Sequence, residues 1–315
     1  MFCDQNKISG KVGRLCAGDV IDACERALDG AKDGDIFELA FFGGSFTAIN
    51  RDYMDMLLGA AYPYVQSGKI KGIRISTRPD CINEEILEHL KSFGVSAIEL
   101  GAQSMDDEVL ALARRGHTAE DVEKASKLIK RYDFSLGLQM MTGLPGDTND
   151  KAYRTAQKIA FLRPDTVRIY PAIVIKNTAL ADMYNRGEYC PQTLSQAVEL
   201  CAMLLEFFER KNSIPVIKLG LQHESSLDEG YVAGPYHPAF RELCEGARYL
   251  CLMRDMLGEN IKNRKLTFYV PPRMLSKAIG QRKCNIRALA ADGYTVEVKP
   301  DSDIDDIRLE VGEII

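Results

Sequence analysis

The sequence has 315 residues and a net charge of −5, and 46% of its residues are hydrophobic. Such a chain is long enough for one large α/β domain and a smaller one, and its composition is typical of a globular protein. No apolar run reaches the roughly 18 residues of a membrane-spanning helix, and no signal peptide follows Met1. We therefore predict a cytoplasmic protein that does not bind membranes. Its negative charge argues against nucleic-acid binding by the whole surface, but it does not exclude local basic patches.

Nine cysteines are scattered along the chain without any Cys-x-x-Cys pair. We expect most of them to be small, buried apolar residues in a reducing compartment. A closed zinc site would require paired ligand spacing, which this sequence lacks.

The N-terminal segment begins with Cys3 in a polar loop. A helix follows from about residue 17 to residue 30, with Asp19 as its predicted N-cap. In a series of βα units each helix should follow a strand, yet no strand precedes this helix. A sheet that began with the next strand would have an open edge with unpaired backbone groups. We therefore expect that the first strand of the fold lies upstream of residue 1.

Five apolar runs share one pattern, in which a small or polar cluster stands directly after the run. The segments between the runs have helical periodicity, and strands that alternate with helices predict parallel βαβ units. The five runs are residues 36–42, 70–75, 97–102, 134–141 and 166–170. We predict an incomplete α/β barrel over residues 1–212, with its active site on the loops that follow the strands.

Glycines and polar residues follow the first two runs. Gly43 and Gly44 let the backbone approach a ligand and leave N–H groups free to bind it, although a tight turn alone explains them equally well. Arg78 and Asp80, after the second run, form a loop ion pair in the simplest interpretation.

The third run carries polar residues within the strand itself. Alternation places Glu99, Gly101 and Gln103 on one side of the strand, which we expect to be the barrel interior. A buried carboxylate is costly, so it indicates either a bound ligand or cation, or a structural hydrogen bond inside the barrel. Further along, Arg115 stands where it can meet a carboxylate or phosphate. Thr118 and Asn149 are predicted helix caps.

Residues 213–315 form a separate, small α+β module in our prediction, beginning with a strand at residues 214–220. Its middle is basic and its tail after Pro300 is acidic. The segment around Lys277, Gly280, Arg282 and Lys283 resembles the Gly-x-x-Gly segment of KH RNA-binding domains, whose loop holds a nucleic-acid backbone. Lys283 replaces the second glycine. Two interpretations remain open: these residues contact RNA, or the basic face is solvated and balances the acidic tail.

Taken together, the motifs of residues 1–240 resemble radical S-adenosylmethionine (SAM) enzymes. The likeness is to the radical SAM core of the Elongator catalytic subunit and its shorter bacterial relatives. The shared segments, in the same order, are residues 43–47, 77–80, 99–104, 115–118, 140–141, 169–171 and 234–238. The resemblance implies a partial (β/α)6 TIM-like barrel and two cofactors, SAM and a 4Fe–4S cluster.

The resemblance also implies which residues bind SAM. Gly43, Gly44 and Ser45 resemble the Gly-Gly-Glu motif that binds the SAM amino group; because Ser45 replaces the Glu, a backbone carbonyl is the expected contact. Gln103 and Arg115 match positions that hold the SAM ribose and carboxylate in coproporphyrinogen-type relatives. Ser76 and Gln139 replace an acidic residue in those relatives.

The family binds its cluster through a Cys-x3-Cys-x2-Cys motif after the first strand. Cys3 resembles the last of these three ligands, and the other two would precede Met1. One thiolate cannot retain a cluster that needs Cys at its corners. We therefore expect the chain as given to bind no stable cluster. A longer protein with the upstream strand and two more Cys should recover it.

Three functions are considered from the sequence. The first is a radical SAM enzyme that acts in RNA (tRNA) modification, as the resemblance implies. The second is a non-redox RNA-binding protein with a degenerate or truncated barrel. An ordinary barrel lyase or aldolase is the third and weakest, because no Lys stands at a strand exit to form a Schiff base. The acetyltransferase domain of the Elongator subunit has no counterpart here, so acetyl transfer is not carried over.

Overall fold

The computed structural model describes residues 13–32, 34–221, 229–262 and 264–314. Cys3, the predicted cluster ligand, lies outside these residues. No helix within the described ranges is both long and apolar enough to cross a membrane.

A six-stranded parallel sheet forms the centre of the molecule and curls into a half-barrel. Its spatial order is β1-β2-β3-β4-β5-β7. The strands are β1 (Leu39–Phe41), β2 (Ile73–Thr77), β3 (Val95–Gln103), β4 (Ser135–Thr142), β5 (Thr166–Pro171) and β7 (Val216–Leu219). This confirms the predicted partial barrel, with β1 at one edge.

The convex face of the sheet carries the main hydrophobic core. Alternate residues such as Ile75, Ile98, Leu138 and Ile169 are fully buried there. Their neighbours in the chain, including Ser76 and Arg168, point to the concave face and are only partly buried. The sheet is therefore apolar towards the helices and polar towards the barrel interior, which is where a half-barrel can accept a ligand.

Helices cover the convex face and flank the sheet. They are α1 (Ala17–Asp29), α2 (Arg51–Gln66), α3 (Glu84–Ser92), α4 (Asp107–Leu112), α5 (Ala119–Arg131), α6 (Asn149–Phe161), α7 (Ala179–Asn185) and α8 (Leu194–Leu205). Helix α8 continues as a π-helical segment, Glu206–Lys211. The next helices are α9 (Phe240–Asp255), α10 (Leu275–Ile279) and α11 (Cys284–Ala291).

Three predicted helix starts can be compared with the structure. Thr118 caps α5 in a capping box with Asp121, as predicted. Asp19 is not an N-cap: it is the third residue of α1, and its carboxylate accepts a hydrogen bond from the backbone N–H of Cys16. Asn149 begins α6, but its N-cap is Thr148, whose hydroxyl accepts from the Lys151 backbone. Both errors are shifts along a polar run in which several residues can serve as caps.

We predicted that the strand at residues 214–220 begins the C-terminal module, and this assignment is wrong. Val216–Leu219 pairs parallel with β5 and is the sixth strand of the barrel sheet. The sheet therefore extends past the boundary expected near residue 212. Arg241 of α9 donates a hydrogen bond to the Val216 carbonyl at 2.5 Å, so this helix supplies a partner to the outermost strand.

A second, three-stranded sheet forms the C-terminal module. It contains β9 (Arg264–Val270), β10 (Thr295–Pro300) and β11 (Arg308–Ile314), with β9 in the centre, parallel to β10 and antiparallel to β11. Helices α10 and α11 lie between β9 and β10 in the chain, joined by the loop around Gly280. A separate core with Met253 and Phe268 holds the module together.

A short antiparallel pair was not predicted. Its strands are β6 (Val174–Ile175) and β8 (Tyr231–Ala233). The two segments are too short to show a strand pattern in the sequence.

Close packing on the concave face predicts that even one added methyl group there lowers the stability of the protein. A methyl group on Gly137 of β4 would lie 2.7 Å from Cγ of Glu99 and 3.1 Å from Oγ1 of Thr166. We expect Gly137→Ala to lower the free energy of unfolding by about 1–3 kcal/mol through overpacking. Urea denaturation measures this.

Gly59 on helix α2 provides the matched control, because a methyl group there meets nothing within 4 Å. Gly59→Ala should raise stability by about 0.5–1 kcal/mol, since Ala is the better helix former. Equal destabilisation by the two variants would contradict the packing described for Gly137.

Candidate active site

Polar groups converge on Gly101 near the carboxyl end of β3. A Cβ at Gly101 would lie 2.7 Å from Nε2 of Gln103, 3.6 Å from Nη2 of Arg115 and 3.7 Å from the Thr77 carbonyl. The absence of a side chain at Gly101 therefore makes the room in which an amide and a guanidinium meet. Both were predicted to bind the same ligand.

The backbone at Gln103 explains how this side chain reaches that space. Its φ is 64°, in the left-handed region that residues other than glycine rarely adopt. The pairing of β3 with β4 also shifts register between Leu100 and Gln103. This local distortion at the end of β3 is what brings the amide of Gln103 beside Gly101, and strained backbone of this kind clusters at functional sites.

The turn after β1 docks on the same end of the sheet. Gly43 has a φ of 109°, which favours glycine, and the space beside the Gly44 Cα is open. Ser45 precedes a single 3₁₀ turn, and in that turn the hydroxyl of Thr47 lies 2.6 Å from the hydroxyl of Thr77. The glycine turn is thus tied through Thr77 to the strand end that borders Gly101.

The loop after β2 contains the expected ion pair. Nε of Arg78 donates to Asp80 at 2.9 Å, and a second guanidinium nitrogen also bonds this carboxylate. The Arg78 hydrogen bond lowers the pKa of Asp80. The same guanidinium lies 3.3 Å from the Cβ position of Gly116, so the ion pair packs beside the segment that carries Arg115.

His117 supports that segment from inside. It is buried, and its Nε2 lies 3.1 Å from the Ala102 carbonyl, to which it donates. Burial lowers the pKa of His117, so the ring is neutral near pH 7. Its contact with β3 positions the Arg115 loop against the strand end.

Glu99 lies at the centre of the polar concave face and is only 1% exposed. Its carboxylate accepts hydrogen bonds from Nη2 of Arg168 at 2.9 Å and from Nε2 of Gln139 at 2.8 Å, and Nε of Arg168 lies 2.6 Å away in the same ion pair. Arg74 lies 3.5 Å away and also bonds Glu38 at 2.7 Å. The carboxylate is therefore satisfied by protein groups, which is the structural alternative considered for this residue.

The sequence did not single out Arg74, Arg168, Phe42 or Lys218. Arg168 lies over the ring of Phe42, with 4.7 Å between the guanidinium carbon and the ring centroid. Lys218 of β7 is the register partner of Arg168. Alternation along β2, β5 and β7 indicates their shared face, but the identity of their partners depends on the curl of the sheet.

The predicted RNA-binding residues lie apart from these polar residues of the barrel, in the loop between α10 and α11. Arg282 and Lys283 are exposed. Lys277, in contrast, forms an ion pair with Glu245 of α9 at 2.7 Å. Gly280 has a φ of 75°, and a side chain there would collide with Cys284 and Asn285.

Comparison with protein families shows the superfamily to which this chain belongs. A model of the radical SAM superfamily matches residues 1–159, just over half of the 315-residue chain. The chain belongs to the radical SAM superfamily. A model of the radical SAM C-terminal domain matches residues 164–250. Radical SAM proteins are enzymes that use a 4Fe–4S cluster and SAM.

Named relatives of this radical SAM chain match only part of its length and part of their own. The tRNA uridine(34) acetyltransferase of Methanocaldococcus infernus is 30% identical over 186 residues, which cover 53% of the chain and 35% of that protein. Elongator complex protein 3 of Homo sapiens is 26% identical over 218 residues, covering 60% of the chain and 40% of that protein. The chain thus spans well under two thirds of these relatives.

One solved structure extends the similarity to the fold. The archaeal Elp3 of Methanocaldococcus infernus with its N-terminus deleted (1–46) has a TM-score of 0.62 and 25% sequence identity. The match covers 79% of this chain and 61% of that chain.

The described residues fit the two radical SAM cofactors differently. Gln103 and Arg115 approach each other beside Gly101, so one ligand can meet both an amide and a guanidinium, a donor set that suits the ribose and carboxylate of SAM. For the cluster, no three His, Cys, Asp or Glu side chains among the described residues are grouped to hold a metal. We therefore assign the described residues no part in holding the cluster.

The Glu99 ion pairs predict a large effect of one substitution. Glu99→Gln leaves Arg74 and Arg168 without their shared carboxylate, and removing one partner of a buried pair costs about 3–5 kcal/mol. We expect this decrease in the free energy of unfolding in chemical denaturation.

Glu85→Gln is the control for the loss of a carboxylate at the surface. Glu85 pairs with Arg51 at 2.8 Å, and its side chain is 82% exposed. This substitution should cost less than about 1 kcal/mol. A similarly small cost at Glu99 would mean that the concave network contributes nothing to stability.

Proposed function

We propose that this chain provides the SAM-binding barrel of a radical SAM enzyme that modifies RNA. When bound, the reduced cluster of such enzymes supplies the electron that cleaves SAM to a 5′-deoxyadenosyl radical, and the protein supplies binding and orientation. The observation that carries the proposal is the convergence of Gln103 and Arg115 beside Gly101, on a chain of this superfamily.

Each predicted cofactor-binding residue has a role in this proposal. Arg115 pairs with the carboxylate of SAM, as a guanidinium can do with two hydrogen bonds. Gln103 hydrogen-bonds the ribose hydroxyls. Gly43 and Gly44 allow the backbone to approach the amino group, with the carbonyl of Ser45 as acceptor. His117 holds the Arg115 loop, and Asp80 occupies Arg78 so that it does not compete for the same carboxylate.

RNA as the substrate class is supported first by the relatives, one of which is named as a tRNA uridine(34) acetyltransferase. The second support is the charge of the C-terminal module. Within the described residues, four exposed cations around the loop between α10 and α11 form no ion pair. They are Arg273, Arg282, Lys283 and Arg287.

The acidic tail does not neutralise these cations. Asp306 pairs with Arg210 at 2.6 Å, and Asp301 pairs with Arg308 at 2.8 Å. The other acids of the described tail form no ion pair, and none of the tail's acids pairs with the four loop cations, which is why we favour RNA contact over charge balance. Unpaired, exposed cations in one loop suit a phosphate backbone, whose neutralisation releases counterions.

The loop itself is held in one conformation. Nδ2 of the buried Asn285 donates to the carbonyls of Gly246 at 2.8 Å and Ala278 at 3.0 Å. Arg282 and Lys283 have φ angles of 50° and 60°, so the chain reverses sharply between the helices. The Gly-x-x-Lys loop thus resembles the KH loop in its placement between two helices, with Lys283 at the second glycine position. Lys277, bound by Glu245, anchors the module to α9 rather than contacting RNA in this proposal.

Binding of SAM tests the cofactor role without requiring turnover. Arg115→Gln removes a charged hydrogen-bond donor, and such a bond is worth about 1.5–3 kcal/mol. We expect SAM affinity, measured by calorimetry, to fall about 10- to 100-fold. The neighbouring Arg114 is exposed and provides the control. Arg114→Gln should leave the affinity unchanged, and equal losses in the two variants would refute the role of Arg115.

Salt-dependent binding of single-stranded RNA tests the loop. Combining Arg282→Gln with Lys283→Gly removes two cations and gives the left-handed position a glycine. Each lost phosphate contact should reduce the slope of log affinity against log salt by about 0.7. Lys262→Ala is the control, because Lys262 is already paired with Glu259 at 3.0 Å. An unchanged slope in the double variant would exclude the loop as an RNA contact.

A further inference from the structure

The concave face has an aromatic surface that the proposed SAM contacts do not use. Phe42 follows β1, and 48% of its surface is exposed. Arg168 lies 4.7 Å from its ring centroid and supports it from one side. Glu99 holds the guanidinium of Arg168 through an ion pair at Nε and a hydrogen bond from Nη2, so the cation that contacts the ring is itself anchored. An exposed aromatic ring is suited to stacking against a planar base.

A cation without a carboxylate partner stands next to this surface. Lys218 lies beside Arg168 in the β5–β7 pairing, partly buried, and forms no ion pair with any residue that the structure describes. The connected charges around it are Glu38, Glu99, Arg74 and Arg168, two acids and two bases that satisfy one another. Among the described residues of the concave face, Lys218 therefore adds a positive charge that no carboxylate pairs with.

The ammonium of Lys218 attracts a phosphate group. An aromatic ring and a cation on one face match the two halves of a nucleotide, its base and its phosphate.

An open cavity connects this face to the C-terminal module. Its volume is about 870 Å³, and Lys218 and Leu219 line one side while Ser276 and Lys277 of α10 line the other. Two acidic residues line it: Glu245 is held by Arg241 at 3.0 Å and by Lys277 at 2.7 Å, whereas Glu242 is exposed and forms no ion pair with any described residue. A polynucleotide held at the loop after α10 could therefore reach Lys218 through this cavity.

We propose that the concave face binds one nucleotide of the substrate, with its base against Phe42 and its phosphate on Lys218. The inference rests on the proposed function, because it names where the RNA substrate meets the barrel. It adds two residues, Phe42 and Lys218, that determine which class of substrate is accepted.

The absence of tryptophan from the chain allows a direct test. Phe42→Trp creates a single fluorescent reporter at the proposed stacking surface. We expect its emission to be quenched by at least one of the four ribonucleoside 5′-monophosphates, and by the matching nucleoside only at about tenfold higher concentration. A Phe42→Leu variant read by calorimetry should bind the same nucleotide about tenfold more weakly.

Lys218 is tested in the same reporter background. Lys218→Ala should abolish the preference for monophosphate over nucleoside, and Lys218→Arg should retain it. Lys124→Ala removes a cation on the outer surface, where Lys124 pairs with Glu120 at 2.7 Å, and should change nothing. If Lys218→Ala keeps the preference, or if Lys124→Ala abolishes it equally, the phosphate contact is refuted.

A competition experiment separates the inference from the proposed function. Saturating S-adenosylhomocysteine should leave nucleotide quenching intact, because the two ligands occupy different residues. If S-adenosylhomocysteine alone quenches the reporter and displaces the nucleotide, Phe42 belongs to the SAM site and the inference is wrong. If no nucleotide binds while Arg115→Gln still weakens SAM binding, the nucleotide site fails and the SAM assignment stands.

Discussion

The buried carboxylate of Glu99 is the interaction on which the barrel interior depends. It joins strands that are distant in the chain, because Arg74, Gln139 and Arg168 come from β2, β4 and β5. A buried ion is tolerated only with good geometry and full hydrogen bonding, so this network favours one curvature of the sheet over others. It also holds Arg168, whose guanidinium carbon lies 4.7 Å from the ring centroid of Phe42. The polar floor of the barrel is thus a structural device, and in our proposal it is also a binding surface.

Much of the fold follows from local patterns in the sequence. The apolar runs predict the strands because a buried parallel strand needs side chains such as Ile75, Ile98 and Ile169 on its covered face. The same alternation predicts that Glu99 and Gln103 share a face. We assigned Val216–Leu219 to the wrong sheet, because the sequence of a short strand after a long helix does not show which sheet the strand joins. That choice depends on tertiary contacts such as the one from Arg241 to Val216.

The candidate site was predictable only in part. Motif order indicates Gly43, Gly44, Gln103 and Arg115, but not the left-handed backbone and register shift that turn Gln103 toward Gly101. Ion-pair partners are also non-local, so the sequence does not reveal that Lys277 is bound by Glu245 while Arg282 and Lys283 are unpaired. A run of basic residues does not distinguish structural cations from those available to a ligand.

This distinction explains how a chain with a net charge of −5 can still interact with a polyanion. What a phosphate meets is the local field, which falls off over about 10 Å in physiological salt. Several acids of the C-terminal region are held close to arginines, as in Asp292 with Arg254 at 2.9 Å and Glu209 with Arg248 at 3.0 Å. Their fields are therefore largely cancelled by neighbours, whereas the fields of the loop cations and of Lys218 are not. The sign that a substrate encounters locally is set by which charges lack partners, and Lys218 and the loop cations are positive charges of this kind on either side of the cavity between the barrel and the module.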